Sequence, residues 1–553
     1  MRFIRQFLLF FLLLSILSLL SYLYLGRPAL GMDDADIFLT YARRLAHGEG
    51  FVFNSGGEKV EGFTSMLWVL ICSLFYHLSA HPQFLLALFA LILTSLSVTL
   101  TYEALRKDLS QSATAEFQKY FPFVFCGYLI CISPSFVTWS VLSLMENALW
   151  NFLFISTIII LLNNISDKQP TRQSRVLLLL LAPLLILCRP EAMAWVIFFA
   201  VALALIYRSK GRSLLFPLAF LVIAILSTII IVRFRIHYFG YPLPNTYYAK
   251  VSPNRIYNLI NGLRYAQNFM AGYNPFVTFL VLALLLILAF SWKRTVSPRI
   301  ILLSLIMWMG ILLPILTGDD HFGSFRFYQH LLLPALWGLP AFLWMFTSRI
   351  RSYQILVVLG FCWFYMLNGL FGLKGAPHSQ LDMEFSIAAK GRATALALNQ
   401  CCTQTDKPSA AVIAVGGFAL FYEGKTIDLM GLNDVRMGHS KGDRKGIRDH
   451  AAFNKEVFYE EQPDLLLPMV VTDREAASRL NSGLLDSTSF ENRAMKNIFA
   501  EPRFQNEYVS AMVNNKKDNN NLFFFCNVNY LTTLQKDSSL VVSVFPRLND
   551  PVN

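Results

Sequence analysis

The chain has 553 residues, 55% of them apolar and only 15% charged. A soluble domain averages roughly 25% charged, so this chain cannot cover itself with polar groups, and much of its surface must face lipid. The formal charge of +12 would point to nucleic acid in a soluble protein. In a lipid-embedded one, Lys and Arg collect in cytoplasmic loops, so no nucleic-acid partner is expected.

Arg2 and Arg5 precede an apolar run from Phe7 to about Leu25. It reads as an uncleaved first span with a cytoplasmic N-terminus; a secretory signal peptide is the rival reading, but the run is long for one. Further spans are expected at about 83–105, 120–142, 144–163, 175–188, 191–207, 213–233, 274–291, 299–317, 328–347 and 353–372, by the roughly 20-residue rule. That makes about eleven. Segment 64–80 (TSMLWVLICSLFYHLSA) is apolar but interrupted, and either crosses or lies along the interface.

Charge decides between the two. With 64–80 in the interface, Arg106, Lys107, Lys168, Arg172, Arg175, Arg208, Lys210, Arg212, Lys293, Arg294, Arg299, Arg349 and Arg351 all fall inside. With 64–80 crossing, nearly all of them move outside. We therefore read 64–80 as interfacial and expect the C-terminus outside. After about residue 373 the composition turns soluble, with strand-length runs such as AAVIAV (410–415) and DLLLPMVV (464–471) between turn residues. This predicts an α/β extracytoplasmic domain. Of the eight cysteines, Cys72, Cys126, Cys131, Cys188 and Cys362 sit in apolar runs and read as small buried hydrophobes. No Cys/His metal spacing is present. A disulfide from Cys526 to Cys401 or Cys402 is open to an outer domain.

The polar outer segments are then 31–63, Met145-Glu146-Asn147, Arg189-Pro190-Glu191, the loop 234–273 and GDDHFGSFRF (318–327). Asp33 and Asp34 follow the first span directly, where paired carboxylates beside hydrocarbon are expensive. They read as an ordinary solvated loop start, or as a catalytic base or metal-binding pair; a partly desolvated carboxylate can take the proton of an attacking hydroxyl. A short helix, ADIFLTYARRLAHGEG, follows and ends at Gly48 and Gly50. Glu61, Glu146 and Glu191 singly suit caps or snorkelling anchors; together with Arg189 at one face they look like a cavity rim.

The loop 234–273 carries Arg235, Lys250, Arg255 and Arg264 and no acidic residue. Such cations suit a phosphate, and the neighbouring Asn245, Tyr247 and Tyr248 suit a sugar; lipid headgroups are the competing partner. Arg326 is a second phosphate candidate. Asp319, Asp320 and His321 offer metal-ligand types, with Asp34 a further candidate, and Mg or Mn the candidate ions. There is no Walker-type loop, GxGxxG, zinc-protease motif or GxSxG. Nor is there a charge deep inside a span, which argues against a pump or secondary transporter.

DDADIFLTYARRLAHGEGFVFNSGGEKVEGFTSMLW resembles the signature DDAxIxxRYAxNLxxGxGxVFNPGGExVEGYTNxLW of a group of GT-C glycosyltransferases that includes the mycobacterial terminal arabinofuranosyltransferases of the AftB type. SLMENALW (143–150), CRPEAM (188–193), YFGYPLPNTYYAK (238–250), GDDHFGSFRFYQHLLLP (318–334) and IDLMGLNDVRM (427–437) resemble further stretches of the same group, in order. The resemblance implies a GT-C fold with a membrane bundle and a periplasmic domain, a polyprenyl-phosphate sugar donor, and catalytic carboxylates at Asp33 and Asp34. The sequence departs from the pattern at Thr40, Arg44, Ser65 and Asn147, so arabinose specificity is not carried over.

The expected protein is therefore a polytopic α-helical membrane protein, GT-C-like, with a transmembrane catalytic domain over 1–372 and a soluble α/β domain over 373–553. It would move sugar from a polyprenyl phosphate to a glycan or glycolipid acceptor on the outer face of a bacterial inner membrane. Asp33 would be the base and Asp34 its orienting or metal-holding partner, with Lys250, Arg255 and Arg326 on the donor phosphate. The alternative is a transporter or flippase of lipid-linked sugars.

Overall fold

The computed structural model describes residues 1–112, 115–166, 170–290, 296–346, 378–402, 407–468 apart from 443, 446 and 448, then 484, 486, 488–515 and 521–545. The first helix, Arg2–Tyr24, packs Phe10 against Tyr102 and Phe125 of two later helices. A polar helix follows at Asp33–Ala46. Its first turn carries Asp33, Asp34 and Asp36, where the helix dipole favours negative charge. Gly48 and Gly50 then turn the chain away at φ +79° and +85°.

Met66–Tyr76 is a helix of 11 residues, started by Ser65 Oγ accepting from the Trp68 amide. At 1.5 Å per residue it is roughly half the length of a span. Among the described residues, six helices are long and apolar enough to cross: Arg2–Tyr24, Gln83–Ser110, Asn147–Ile165, Ala192–Ser209, Leu215–Phe239 and Pro298–Thr317. Two bent pairs raise the number to eight: Gln118–Ile132 with Ser135–Leu142, at 70°, and Arg255–Gly272 with Pro275–Ala289, at 117°. Leu215–Phe239 leaves Leu215, Leu218, Val222, Ile225 and Ile230 exposed, which only lipid makes inexpensive. The chain is a multi-pass membrane protein.

Three of the eleven expected spans are not among these eight. Arg172–Cys188 has only 17 residues, with Pro183 inside. The stretch expected to cross at 328–347 is broken into Arg326–Leu331 (a 3-10 turn), Leu332–Ala335 and Gly338–Phe346. The stretch 353–372 lies outside the described residues. The loop expected over 234–273 is mostly helix: Leu215–Phe239 runs into it, and Asn245–Lys250 and Arg255–Gly272 fill it.

Charged groups sort to opposite ends. Arg299 pairs with Asp108 at 2.8 Å, Arg2 with Glu103 at 3.6 Å, and Arg212 donates to the Asn164 carbonyl. The acidic helix, Glu61, Glu146, Arg189, Lys250 and Arg326 gather at the other end.

That end carries an α/β domain, begun by the helix His378–Cys401; the boundary expected at 372/373 lies outside the described residues. Its strands are β1 (Ala410–Val412), β2 (Thr426–Asp428), β3 (Leu465–Leu467), β4 (Tyr508–Asn515), β5 (Asn521–Asn527) and β6 (Leu540–Val544). They form one sheet in the order β2-β1-β3-β5-β4-β6. β1 is parallel to β2 and β3, and the rest is antiparallel. The edge strand β2 is blunted by Asn54 of the first polar loop, which exchanges two 2.9 Å hydrogen bonds with the Thr426 backbone. Cys401, Cys402 and Cys526 are buried and not disulfide-bonded to one another, so the disulfide open to them is not formed. This is the two-part architecture implied by the GT-C resemblance.

Candidate active site

The acidic helix is fixed from three sides. Before it, the Gly31 and Met32 amides donate to the Leu142 and Ser143 carbonyls, tying it to the end of the bent pair Gln118–Ile132 with Ser135–Leu142. Adjacent helical side chains point about 100° apart, and the three aspartates diverge accordingly. Asp36 receives two hydrogen bonds from Arg392 of the α/β domain, at 2.6 and 2.7 Å. Asp33 accepts from the Gly417 and Gly416 amides at 2.8 and 3.1 Å. A Cβ on Gly416 would stand 1.8 Å from the Asp33 carbonyl oxygen, so only glycine permits this approach. Burial pushes the Asp33 carboxyl up to about 6, against the two amides that favour its charge.

Asp34 alone of the three lines a cavity of about 470 Å3. Arg326 Nη1 lies 3.7 Å and Lys250 Nζ 3.8 Å from its Oδ2. Burial would raise this carboxyl, but Lys250, Arg326 and His321 together hold it below its ordinary range. Lys250 is raised in turn: burial opposes its charge, and Asp34 and Asp449 outweigh burial.

Lys250 ends the short helix Asn245–Lys250. Asn245 anchors that helix by donating to the Gly431, Leu432 and Asp434 carbonyls at 2.8–3.2 Å. Arg326 follows Ser324 and Phe325, both in the left-handed region at φ 60° and 56°. Such backbone is costly for residues with a side chain, and here it folds Arg326 back onto Asp320, which takes two hydrogen bonds at 2.9 and 3.0 Å. Phe322 lies 4.3 Å under the guanidinium.

Asp320, His321 and Asp449 bring ligand atoms within 4.8 Å of one another, close enough for one ion. Asp449 thus stands where Asp319 was expected, while Asp319 lines the cavity. As arranged, each of the three is already engaged: Asp320 by Arg326, and His321 with Asp449 at 2.6 Å. An ion there would compete with those contacts for the same carboxylate and imidazole atoms.

The other flank of the cavity is Glu146, Arg189 and Glu191. Arg189 bridges them at 3.5 and 2.6 Å. Tyr247 also lines the cavity. Other expected residues do not. Glu61 is buried against Arg235, with contacts of 2.8–3.1 Å, so that cation of the acid-free stretch is balanced from another segment. Tyr248 stacks on His439, and Arg255 is exposed at its helix start.

Sequence reasoning missed Asp449, Arg392 and four further contributors. Arg444 lines the cavity from the α/β domain, bonded to the Tyr248, Gly438 and Ser440 carbonyls. Glu384, whose carboxyl burial pushes up to about 7, interacts with His321, Asp34 and Lys250. Trp195 and His330 lie within apolar runs. The basic stretch KGDRKGIRDH (441–450) was the one visible signal for Arg444 and Asp449.

No family model matches the chain, and no curated relative does. Among solved structures, the chain is similar to ArnT from Cupriavidus metallidurans bound to undecaprenyl phosphate, at 12% identity over 93% of this chain and 97% of that one, TM-score 0.48. It is also similar to the Archaeoglobus fulgidus oligosaccharyltransferase in its apo form, at 12% identity over 97% and 76%, TM-score 0.47. A further complex, archaeal AglB with an inhibitory peptide and a dolichol phosphate, matches at 11% identity over 96% and 75%, TM-score 0.44.

Proposed function

We propose that this chain transfers a glycosyl unit from a polyprenyl phosphate to a hydroxyl of a glycan or glycolipid, on the outer face of a bacterial inner membrane. The observation that carries the reading is the placement of Asp34 in a cavity between Lys250 and Arg326, at 3.8 and 3.7 Å. Both contacts exceed hydrogen-bond length, which leaves Lys250 Nζ and Arg326 Nη1, the atoms nearest Asp34, able to take phosphate oxygens.

Asp34 is the base in this reading, reversing the preference for Asp33. The Asp33 carboxylate is spent on the Gly416 and Gly417 amides, whereas Asp34 is kept ionised and faces the cavity. The acceptor oxygen attacks the anomeric carbon, the bond from that carbon to the phosphate oxygen breaks, and the hydroxyl proton passes to Asp34. The polyprenyl phosphate leaves as an anion, and Lys250 and Arg326 stabilise the charge it gains. No step needs the Asp320–His321–Asp449 set to hold a metal.

A lipid-carried donor also suits the surroundings. On the helix Arg255–Gly272, Tyr257, Asn258 and Asn261 line the cavity, while Ile256, Leu259, Ile260 and Leu263 are exposed. Spaced i, i+3, i+4 and i+7, these four form an apolar stripe along which a prenyl tail can lie. The test is in vitro transfer from synthetic polyprenyl-phosphate sugars by the purified protein. An Asp34→Asn variant that keeps the wild-type rate sinks the mechanism.

A further inference from the structure

One end of the cavity is unlike the end that holds Asp34. Glu146, Arg189, Trp195 and His330 line it, and at least nine-tenths of each is buried. His330 is caged edge-on by three rings, Phe154 at 5.0 Å, Trp195 at 5.8 Å and Trp150 at 5.9 Å. Its orientation is therefore fixed by packing.

Of the side chains that line this end, two offer acceptor atoms with no partner among the described residues: Glu146 Oε2 and His330 Nε2. The remaining ring nitrogen of His330 bonds the Phe327 backbone carbonyl. A neutral ring donating there presents Nε2 as an acceptor. Glu146 Oε1 faces Arg189 at 3.5 Å, which leaves Oε2 as a second acceptor. Buried acceptors without donors are costly and rare, so this end is built for something that brings donors. A phosphate brings none and would be repelled by Glu146. A prenyl chain satisfies neither atom. A sugar brings hydroxyl donors, and an apolar C–H face that packs on an indole such as Trp195. Arg189 is already shared by Glu146 and Glu191, and Arg326, which also acts on Glu146, is held by Asp320, so no uncommitted cation is left here for an acidic sugar.

We infer that the space between Glu146, Trp195 and His330 is the sugar subsite of the donor, built for a sugar that carries hydroxyls and no acidic group. This rests on the donor reading above, with the phosphate at Lys250 and Arg326, and adds what is attached to it. Both acceptors each take a hydroxyl hydrogen, and Trp195 covers one ring face. Trp195 and His330 select the sugar, while Lys250 and Arg326 read only the phosphate.

The experiment measures binding of bare undecaprenyl phosphate, and of the same lipid carrying arabinose, mannose, glucose, galactose or glucuronate, to the full-length protein in nanodiscs. At least one neutral sugar should tighten binding about tenfold over the bare phosphate, and glucuronate should not. His330→Phe keeps the ring packing and removes the acceptor, so it should erase that increment and leave the bare lipid's affinity unchanged. Trp195→Ala should do the same, and Trp195→Phe should restore most of it. The inference is overturned if no neutral sugar adds affinity, if glucuronate adds as much, or if His330→Phe weakens the bare and glycosylated lipids equally. Loss of bare-lipid binding in Lys250→Ala and Arg326→Ala supports the donor reading. Its persistence in both overturns that reading while the sugar increment is still measured by itself.

Discussion

Asp34 and Arg326 stand 3.7 Å apart, while Arg326 is gripped at 2.9 and 3.0 Å by Asp320. The tight pair fixes the guanidinium in place. The loose pair leaves one edge of it, and one side of the Asp34 carboxylate, open to the cavity. A phosphate entering there meets a cation that need not reorganise, the condition under which a charged group stabilises a transition state most.

Exchanging the two neighbouring aspartates should separate their roles. Asp34→Asn is expected to lower the transfer rate by about 10²–10⁴, the usual contribution of a positioned base, with donor affinity retained. Asp33→Asn should keep at least about a tenth of the rate, because it removes an interdomain contact outside the cavity; its effect belongs in thermal stability, at about 1–3 kcal/mol. Single-turnover transfer and a melting curve of each variant check both. A dead Asp33→Asn with normal stability would return the base to Asp33.

The pH profile supplies a second check on Asp34. Transfer needs its ionised form, so the rate falls as pH drops through its depressed pKa. Lys250 is the largest of the charges holding that pKa down. In Lys250→Met the acid limb should therefore move to higher pH. An acid limb that stays in place means Asp34 is not the titrating base.

Asp33 predicts a pH effect of opposite sign on stability. Its folded pKa is raised from 3.8 to about 6, so the folded state binds the proton more tightly than the unfolded one. That contribution is complete below about pH 4 and is lost as pH rises through about 6. The seam between Asp33 and Gly416–Gly417 should resist proteolysis better at pH 5 than at pH 8. Asp33→Asn should flatten that difference.

How much of this was legible follows from where each partner lies in the chain. The acidic doublet, the Lys250 helix and the GSFRF turn each announced themselves by charge beside apolar sequence. Their convergence followed from counting basic loops. Asp33's role could not be read, because its partners are two backbone amides 383 and 384 residues away, with no side chain to mark them. Arg444, Asp449 and Arg392 come from a domain whose docking the sequence does not encode locally. His330 and Trp195 read as core because the groups that leave them unsatisfied are not their sequence neighbours. Nor does the apolar run 328–347 show that its helix is broken at Leu336-Trp337.

Glu61 is the clearest case of a site candidate that turned out to be framework. It and Arg235 are buried with paired contacts of 2.8–3.1 Å. Glu61→Gln should cost about 3–5 kcal/mol by stranding a buried guanidinium. The double variant Glu61→Met with Arg235→Met should recover much of that, since it removes both charges and keeps apolar volume. Melting temperatures of the three proteins decide it. A single variant that loses donor affinity at unchanged stability would instead make Glu61 a ligand contact.

The cation question yields the last prediction. Asp320, His321 and Asp449 are near enough for one ion, but an ion there must take Asp320 from Arg326 and part His321 from Asp449. Arg326 would then lose the grip that aims it at the cavity, and the phosphate would exchange a fixed cation for a loosened one. Transfer assayed in excess chelator should accordingly stay within about twofold of the untreated rate, a difference of under 1 kcal/mol in barrier height. Asp449→Asn removes a ligand but leaves Arg326 on Asp320, so it too should bind donor normally. If chelator abolishes transfer and added Mn restores it, Arg326 must release Asp320 during the cycle, and the charge on the leaving phosphate is met by the metal rather than by the guanidinium.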